Sequence, residues 1–293
     1  MIELGANRYG KSAIRLVKLT RGPERQELRD LTVAVALEGD FEAAHTEGDN
    51  SAVVATDTMK NTVYALAKDN LTGAIEDFGL VLARHLTTFP QVDRATISIH
   101  EHGWRRLAHA AGEAPDAFIR TGELTRTAEV AVERVGDMVA IEAGIEGLTV
   151  MKTSKSAFAG FPRDGYTTLP ETDDRILATK VNATWRYERP SEVEFERVFD
   201  GVRRTLLQAF ADHFSPSVQN SIWVMGKAIL ERHPEVAEIR MTLPNLHHWI
   251  VDMAPFGLPN DRDVFTPTTE PYGLIEATVR RGQARPSDRS GGT

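Results

Sequence analysis

The hydrophobic pattern of this sequence occurs twice, with the same order of extended and helical segments in each half of the chain. Leu31, Val33 and Val35 alternate with smaller or polar residues, which predicts a strand that is buried on one face. Helical spacing of apolar residues follows, and further alternation comes after it. The segments of the first half are extended at 8–19 and 31–37, helical at 56–68 and 75–86, and extended again at 95–100 and 127–132.

The second half repeats this order and adds clear helix boundaries. Ser191 and Glu194 after a proline form a capping box, which predicts that a helix begins there. Ser215 before Pro216 predicts the start of the next helix, and His233 before another proline predicts its end. The remaining segments are extended, at 138–151, 182–188, 239–243 and 275–279.

Strands that follow one another closely and alternate in polarity are typical of antiparallel sheets, so the sequence predicts an α+β protein. A sheet with helices on one face leaves its other face and two edges to be covered. Closing several copies into a ring would cover all three, so we predict a homo-oligomer. The expected division is residues 1–136 and 137–281, followed by a polar tail, 282–293, that is predicted to be disordered.

Composition excludes several kinds of protein. The 293 residues contain no cysteine, which removes disulfides and thiolate nucleophiles. The formal charge of -8 repels phosphate backbones, so nucleic acid is not an expected partner. No apolar run approaches the ~18 residues that span a bilayer, and the N-terminus lacks a secretory pattern. We therefore expect a cytoplasmic protein that does not bind membranes.

Lys11 follows Gly10 at the head of the first strand and has two interpretations. A lysine in this place is usually a solvated strand end. Alternatively, it is a catalytic base. A lysine that works as a base near neutral pH needs its pKa lowered by ~2–3 units from about 10.4, which requires partial burial or a nearby cation.

The start of the first helix carries Thr56 and Asp57, which read most simply as an N-cap pair. The same geometry would also present free N–H groups and a hydroxyl to an anionic or carbonyl-rich ligand. Ser217 and Gln219 stand at the equivalent place in the second half. The amide of Gln219 could accept from one N–H and donate to one carbonyl of a ring edge.

His100 and His102 suggest a metal site, because alternate residues of a strand place both imidazoles on one face. No third ligand follows from the sequence. We therefore favour a pair of surface or polar-face histidines and expect no metal.

Six segments of the chain resemble the urate oxidase family, and they occur in the same order and at similar spacing. They are residues 7–11, 54–62, 158–161, 174–179, 215–219 and 243–247. The resemblance implies the tunnelling fold, in which each subunit has two tandem repeats with helices on the outer face of antiparallel sheets. Four subunits would close these sheets into a hollow barrel, a homotetramer with active sites at subunit interfaces and no metal or organic cofactor.

The same resemblance implies the reaction and the residues that bind its substrate. Urate, oxygen and water would give 5-hydroxyisourate and hydrogen peroxide. Arg175 and Gln219 resemble the pair that clamps the pyrimidine edge of urate, and Phe158 resembles the ring that stacks on the purine. The backbones of Val218 and Asp57 resemble further contacts to the ring.

The catalytic roles are also carried over from the family. Lys11 and Thr56, donated by the neighbouring subunit, resemble a proton relay in which His247 orients the lysine. Asn245, together with Thr56, resembles the holder of oxygen and later of water. The chain ends without the peroxisomal Ser-Lys-Leu tripeptide of eukaryotic members, which again favours a cytoplasmic enzyme.

Two other functions remain open at this point. A non-catalytic carrier would use the purine clamp and leave the proton relay idle. A metal-dependent hydrolase of the same fold class would act on a pterin or purine through His100 and His102.

Overall fold

The computed structural model describes residues 2–110 and 112–282, and these fall into two units. Unit 1 comprises the chain up to Thr149 together with Lys180–Phe199, and unit 2 comprises Val150–Thr179 and the chain from Asp200. The predicted boundary between two repeats at residues 136 and 137 stays a prediction. All of the predicted disordered tail except residue 282 lies outside the described residues.

Unit 1 is built on antiparallel strands in chain order. These are β1 (Tyr9–Arg21), β2 (Gln26–Gly39), β3 (Val92–His109), β4 (Gly112–Glu133), β5 (Val139–Lys152) and β6 (Leu177–Tyr187). The four pairs β1–β2, β2–β3, β3–β4 and β4–β5 are all antiparallel. Strand β6 is the other neighbour of β5. All six predicted extended segments of this region are therefore confirmed.

The β3–β4 hairpin is much longer than the alternation predicted. Its outer part is paired as far as His109 with Gly112, through pairs such as Trp104 with Arg120. Side chains there are mostly exposed or half-buried, so no apolar face marks this part of the strands. Hydrophobic pattern alone could not detect it.

The helices of unit 1 are α1 (Glu42–Thr46), α2 (Thr56–Asn70) and α3 (Ile75–Leu86). α3 packs against β3 and β4. Its predicted apolar stripe, Ile75, Phe78, Leu82 and Leu86, is completely buried, as expected for a helix that covers a sheet. The short helix α1 buries none of its residues, which is why its sequence carries no periodic signal.

Helix α4 (Phe195–Asp212) passes along the chain from unit 1 into unit 2, where it is followed by α5 (Val218–Arg232), β7 (Val236–Ile250), β8 (Phe265–Thr268) and β9 (Leu274–Arg280). β7 pairs antiparallel with both β8 and β9, and α5 packs against β7 and β9. The predicted apolar faces of α4 and α5 are buried. The order of elements predicted for the second half is confirmed, with β8 added.

One local prediction was wrong. The capping box at Ser191 does not open α4, because Pro190–Glu192 form a 3-10 turn and the helix begins at Phe195. The extended segment predicted at 275–279 is confirmed as β9, in which Val279 is buried and Ala277 is exposed. The strand pairs with β7 along one side only, so its face has little cover in the single chain.

No helix among residues 2–110 and 112–282 is long and apolar enough to cross a membrane.

Candidate active site

A cavity of about 670 Å³ lies in unit 2, within the size range of small-molecule pockets. Its lining comes from the segment before β6, the start of α5, and strands β7, β8 and β9. Six of the predicted site residues line this single cavity. They are Phe158, Arg175, Val218, Gln219, Asn245 and His247.

One wall presents a cation beside an aromatic ring. Phe158 exchanges two backbone hydrogen bonds with Thr172, at 2.8 and 3.0 Å, and the N–H of Arg175 donates to the carbonyl of Ser156 at 2.8 Å. These bonds fix the guanidinium carbon of Arg175 5.4 Å from the centroid of the Phe158 ring. The ring itself stacks on Phe161, with centroids 4.9 Å apart. A planar fork next to a ring face suits a flat anion with two acceptors.

No acidic side chain among the described residues neutralises the charge of Arg175. Burial lowers the pKa of Arg175, and no carboxylate contributes to that shift. Its Nε atom is buried and has no hydrogen-bond partner among the described residues. A buried donor without a partner costs free energy, and an anionic ligand would supply both the missing acceptor and the missing charge.

The start of α5 forms a second wall. Ser217 is its N-cap, and the Ser217 hydroxyl accepts from the N–H of Asn220 at 3.1 Å. Val218 is buried and Gln219 is exposed, and both line the cavity. As the first two residues of the helix, they have N–H groups without intrahelical acceptors, which is the usual arrangement for binding anions and carbonyls.

The third wall is the end of β7, where alternation places Asn245 and His247 on one face. Asn245 is buried, and its N–H donates to the carbonyl of Gly273 at 2.8 Å. The side-chain amide of Asn245 lies 3.4 Å from Nδ1 of His247, whose ring stacks on Trp249. Burial, followed by the charge of Arg175, lowers the pKa of His247 and so favours its neutral form.

The remaining predicted residues, Lys11, Thr56 and Asp57, belong to unit 1. Lys11 pairs with Val35 where the register of β1 shifts, and Ala13 in this bulge has a left-handed φ of 56°. A Cβ atom on Gly10 would lie 1.8 Å from the carbonyl oxygen of Val35. Glycine is therefore required at position 10, because it lets β2 approach closely enough to pair with Lys11.

The side chain of Tyr9 ties the loop before α2 to β1. Its hydroxyl donates to the carbonyl of Val54 at 3.1 Å and accepts from the N–H of Val54 at 2.8 Å. Thr56 follows two residues later as the first residue of α2 and is half-buried. Lys11 and the start of α2 are thus anchored to each other through two neighbouring residues, Tyr9 and Val54.

The N-cap interpretation of Thr56 and Asp57 was wrong. The N-cap of α2 is Ala55, which makes no side-chain hydrogen bond, so Thr56 and Asp57 lie inside the first turn. The carboxylate of Asp57 binds Lys60 and Asn61. The hydrogen bond from Lys60 is the largest cause that lowers the pKa of Asp57, and the charge of Lys11 contributes last. Lys11 and Asp57 therefore lie close enough to interact.

Sequence reasoning missed several lining residues. Trp249 stands two residues after His247 on the same strand, and the alternation of β7 was a usable signal for it. Arg262 donates to the Thr172 hydroxyl at 3.2 Å and to the carbonyl of Asp174, which secures the turn before Arg175. It lies in an irregular segment, where periodicity gives no prediction.

The histidine pair lies elsewhere, in unit 1. Nε2 of His102 contacts the Thr32 hydroxyl at 2.8 Å, and Nδ1 of His100 lies 3.6 Å from a Glu146 oxygen. Burial lowers the pKa of His102. Within the described parts of the chain, no three His, Asp or Glu side chains are grouped so that they could hold a metal ion.

Comparisons with known sequences match this chain to uricases. The sequence model of a family described as Uricase matches residues 7–131 and 141–276. The chain is 50% identical over 285 residues to the uricase of Arthrobacter globiformis, covering 97% of this chain and 92% of that protein. It is 36% identical over 286 residues to the uricase of Oryctolagus cuniculus, covering 96% and 95%.

Solved structures agree with the sequence comparisons. The crystal structure of the Arthrobacter globiformis uricase matches with a TM-score of 0.91 at 49% identity, covering 97% of both chains. A uricase from Bacillus fastidious matches with a TM-score of 0.80 at 26% identity, covering 94% of this chain and 93% of that one. The likeness confirms the predicted α+β fold class.

Proposed function

The chain belongs to the uricase family and acts as a urate oxidase, and on that premise we propose which of its residues hold urate and oxygen. The cavity around Arg175 binds the urate ring. The observation that carries this assignment is a half-buried guanidinium that lies beside an aromatic face and has no acidic partner in the described part of the chain. Urate is a flat anion. It supplies the negative charge and the hydrogen-bond acceptors that Arg175 lacks, and its ring can stack on the aromatic face.

The binding geometry follows from the walls of the cavity. Arg175 and Gln219 grip the pyrimidine edge of the purine, and the ring of Phe158 stacks on its face. The backbone N–H of Val218 donates to a ring acceptor, which the open start of α5 supports. Asp57 adds a backbone contact from the neighbouring protomer. Every one of these groups recognises a planar, carbonyl-rich heterocycle.

Proton removal is assigned to Lys11 and Thr56, with His247 orienting the lysine. In the single chain Lys11 is only half-buried, and a lysine works as a base only when it is partly desolvated. A neighbouring protomer would add the missing burial. The exposed Val17 and Leu19 further along β1 support an interface on this strand. We therefore assign a homotetramer whose sites are shared between protomers.

Oxygen is held above the ring by Asn245 and Thr56, and water later takes the same place. Urate, oxygen and water are converted to 5-hydroxyisourate and hydrogen peroxide, so two electrons pass from urate to oxygen. The urate ring is electron-rich once it is deprotonated, and it reduces oxygen directly. The protein therefore needs to bind, deprotonate and position its substrates, with no metal or organic cofactor.

The location assigned to the enzyme is the cytoplasm. A chain without cysteine gains nothing from an oxidising compartment. Fractionation of the cells that produce it would find the activity in the cytosolic fraction, and activity in the membrane fraction would contradict this assignment.

The function is tested with protein freed of metal by chelation. Its addition should remove the ultraviolet absorbance of urate and release hydrogen peroxide. If turnover disappears on chelation and returns with added metal, the metal-dependent alternative is correct. If the protein binds the unreactive purine 8-azaxanthine but does not turn over urate, it is a carrier.

Sharing of the site is tested by mixing two inactive variants. Lys11→Met and Arg175→Met lie in different units, so each variant lacks one half of the site. Co-assembled protomers with shared sites should regain part of the activity, because some sites combine two intact halves. A mixture that stays inactive after co-assembly would show that each chain builds its own site.

A further inference from the structure

A buried chain of hydrogen bonds lies beneath two walls of the urate cavity, and none of its members has a role in the chemistry above. The hydroxyl oxygens of Ser215 and Ser221 are 2.7 Å apart, and both residues are completely buried. Nε2 of His213 lies 2.9 Å from the Ser221 oxygen. Nδ1 of His213 lies 2.7 Å from the carbonyl oxygen of Ala209 in α4.

The donors in this chain can be assigned from its ends. A carbonyl oxygen only accepts, so Nδ1 of His213 carries a proton, and in the neutral ring Nε2 accepts from Ser221. Burial is the largest cause that lowers the pKa of His213, and the positive charge of Lys152 lowers it further, so the neutral form is favoured. Lys152 donates to the His213 carbonyl. Burial, followed by the charge of Lys155, lowers the pKa of Lys152, and Asp212 opposes this shift.

Ser215 connects the chain to the wall that carries the stacking ring. Its N–H donates to the carbonyl of Lys155 at 2.9 Å, and its carbonyl accepts from the N–H of Ala157 at 2.8 Å. The next residue is Phe158. Between these two bonds lies Ser156, whose carbonyl holds the N–H of Arg175. A shift of Ser215 would therefore move the ring and the guanidinium together.

The Ser215 hydroxyl also supports the start of α5. Since the Ser221 proton goes to His213, Ser215 is the hydroxyl that donates to the carbonyl oxygen of Ser217, 3.1 Å away, and it shares this proton with the Ser221 oxygen. Ser217 is the N-cap, and Val218 and Gln219 follow it into the cavity. One pair of buried hydroxyls thus fixes two walls that must stand at a set separation to grip a flat ring.

We propose that His213, Ser221 and Ser215 are positioning residues for urate, because they hold the Phe158–Arg175 wall and the Val218–Gln219 wall in register. This inference rests on the proposed role of the cavity as the urate site. Phe158, Arg175 and Gln219 touch the ring; the three positioning residues act only through them. Their loss therefore weakens binding of the ring more than it slows the chemical step.

The test compares two buried hydroxyls. One is on α5 and faces His213, just after the end of α4, and the other is on α4 and faces a histidine just after the end of α5. Ser221→Ala removes the central hydroxyl. Thr205→Val removes a hydroxyl of α4 that is also buried and lies 3.1 Å from Nε2 of His233, just beyond the other end of α5. Ser221→Ala removes hydrogen bonds to His213 and Ser215, and Thr205→Val removes one to His233, so both should lower the melting temperature, Ser221→Ala by more.

Ser221→Ala should raise the KM for urate and the Kd for 8-azaxanthine about tenfold, with a smaller fall in kcat. Thr205→Val should leave all three unchanged. Ser221→Thr restores the hydroxyl and should recover most of the affinity. If Ser221→Ala does not fold, His213→Phe keeps a ring of similar shape but removes the acceptor, and it carries the same expectation.

The proposal is overturned if Ser221→Ala, or His213→Phe where Ser221→Ala does not fold, binds 8-azaxanthine as the wild type does, or if Thr205→Val weakens binding equally. Failure of the proposed urate site would look different. In that case the wild-type protein itself would not show competition between 8-azaxanthine and urate.

Discussion

Replacement of Arg175 by methionine separates the binding role of this residue from any role in stability. The substitution keeps a long side chain and removes the guanidinium. Arg175 has no ion-pair partner among the described residues, and burial already disfavours its charged form. The substitution should therefore remove substrate binding while leaving the ligand-free fold at least as stable as before.

The magnitude follows from the bonds that would be lost. A planar fork against the edge of an anionic ring makes two charge-assisted hydrogen bonds, each worth ~1.5–3 kcal/mol. Their loss should cost about 3–6 kcal/mol in kcat/KM, or roughly a 10²–10⁴-fold decrease. Arg175→Lys keeps the charge but not the fork, so its loss should be about tenfold to a hundredfold.

The assay has two parts. Decay of urate absorbance gives kcat/KM, and thermal unfolding with and without 8-azaxanthine gives the stabilisation by ligand, which should disappear in Arg175→Met. Arg163→Met is a matched control, because Arg163 also lies over a ring of the same aromatic pair, Phe161, but is exposed and does not line the cavity. It should behave as the wild type does.

Two results would refute this reasoning. One is an Arg175→Met enzyme with kcat/KM within about threefold of the wild type. The other is a ligand-free Arg175→Met protein that melts well below the wild type, because the guanidinium would then contribute to the fold itself.

Three further predictions concern Lys11, the strand that carries it, and the half-buried His247. Lys11→Met should abolish most turnover while 8-azaxanthine still binds and the oligomer still forms by gel filtration; unchanged turnover would exclude Lys11 as the base. Gly10→Ala should strongly destabilise the protein, because the new Cβ atom would meet the carbonyl oxygen of Val35 at 1.8 Å, whereas Gly5→Ala meets nothing within 4 Å and should be neutral in thermal unfolding. Burial lowers the pKa of His247 in the folded state, so the unfolded state binds the proton more tightly. The stability that neutral His247 contributes is fully present above about pH 6.5, the pKa of the unfolded state, and is lost as the pH falls through the lower pKa of the folded state. His247→Asn should therefore lose less stability than the wild type between about pH 8 and about pH 5.5, and equal losses would contradict the assignment.

The framework of this protein was readable from its sequence because the core faces are regular. Strand β2 buries Leu31, Val33 and Val35 on one side, and α3 buries a complete stripe. In both, burial is set by the period of the element itself. Where pairing continues without a buried face, as in the outer β3–β4 hairpin, the pattern fails.

The site was predictable to a different degree. Its residue types came from the resemblance to a family, since chemistry alone left Lys11 an ordinary strand end and Thr56 a helix cap. The structure supplies the reasons for their local setting: Gly10 admits β2, and Tyr9 anchors the loop before α2. Neither the buried serine–histidine chain nor Arg262 could be predicted, because their roles depend on contacts between segments that are distant in sequence.

The order in which the cavity can be completed during synthesis follows from the bond between Asn245 and Gly273. That bond joins β7 to the residue just before β9, the last strand described. The stacking ring and the guanidinium leave the ribosome roughly a hundred residues before Gly273, which holds the opposite wall. A growing chain can therefore fold most of its sheet and still lack the wall proposed to hold oxygen. Oxidation, with the peroxide that accompanies it, can then begin only after residue 273 has emerged from the ribosome.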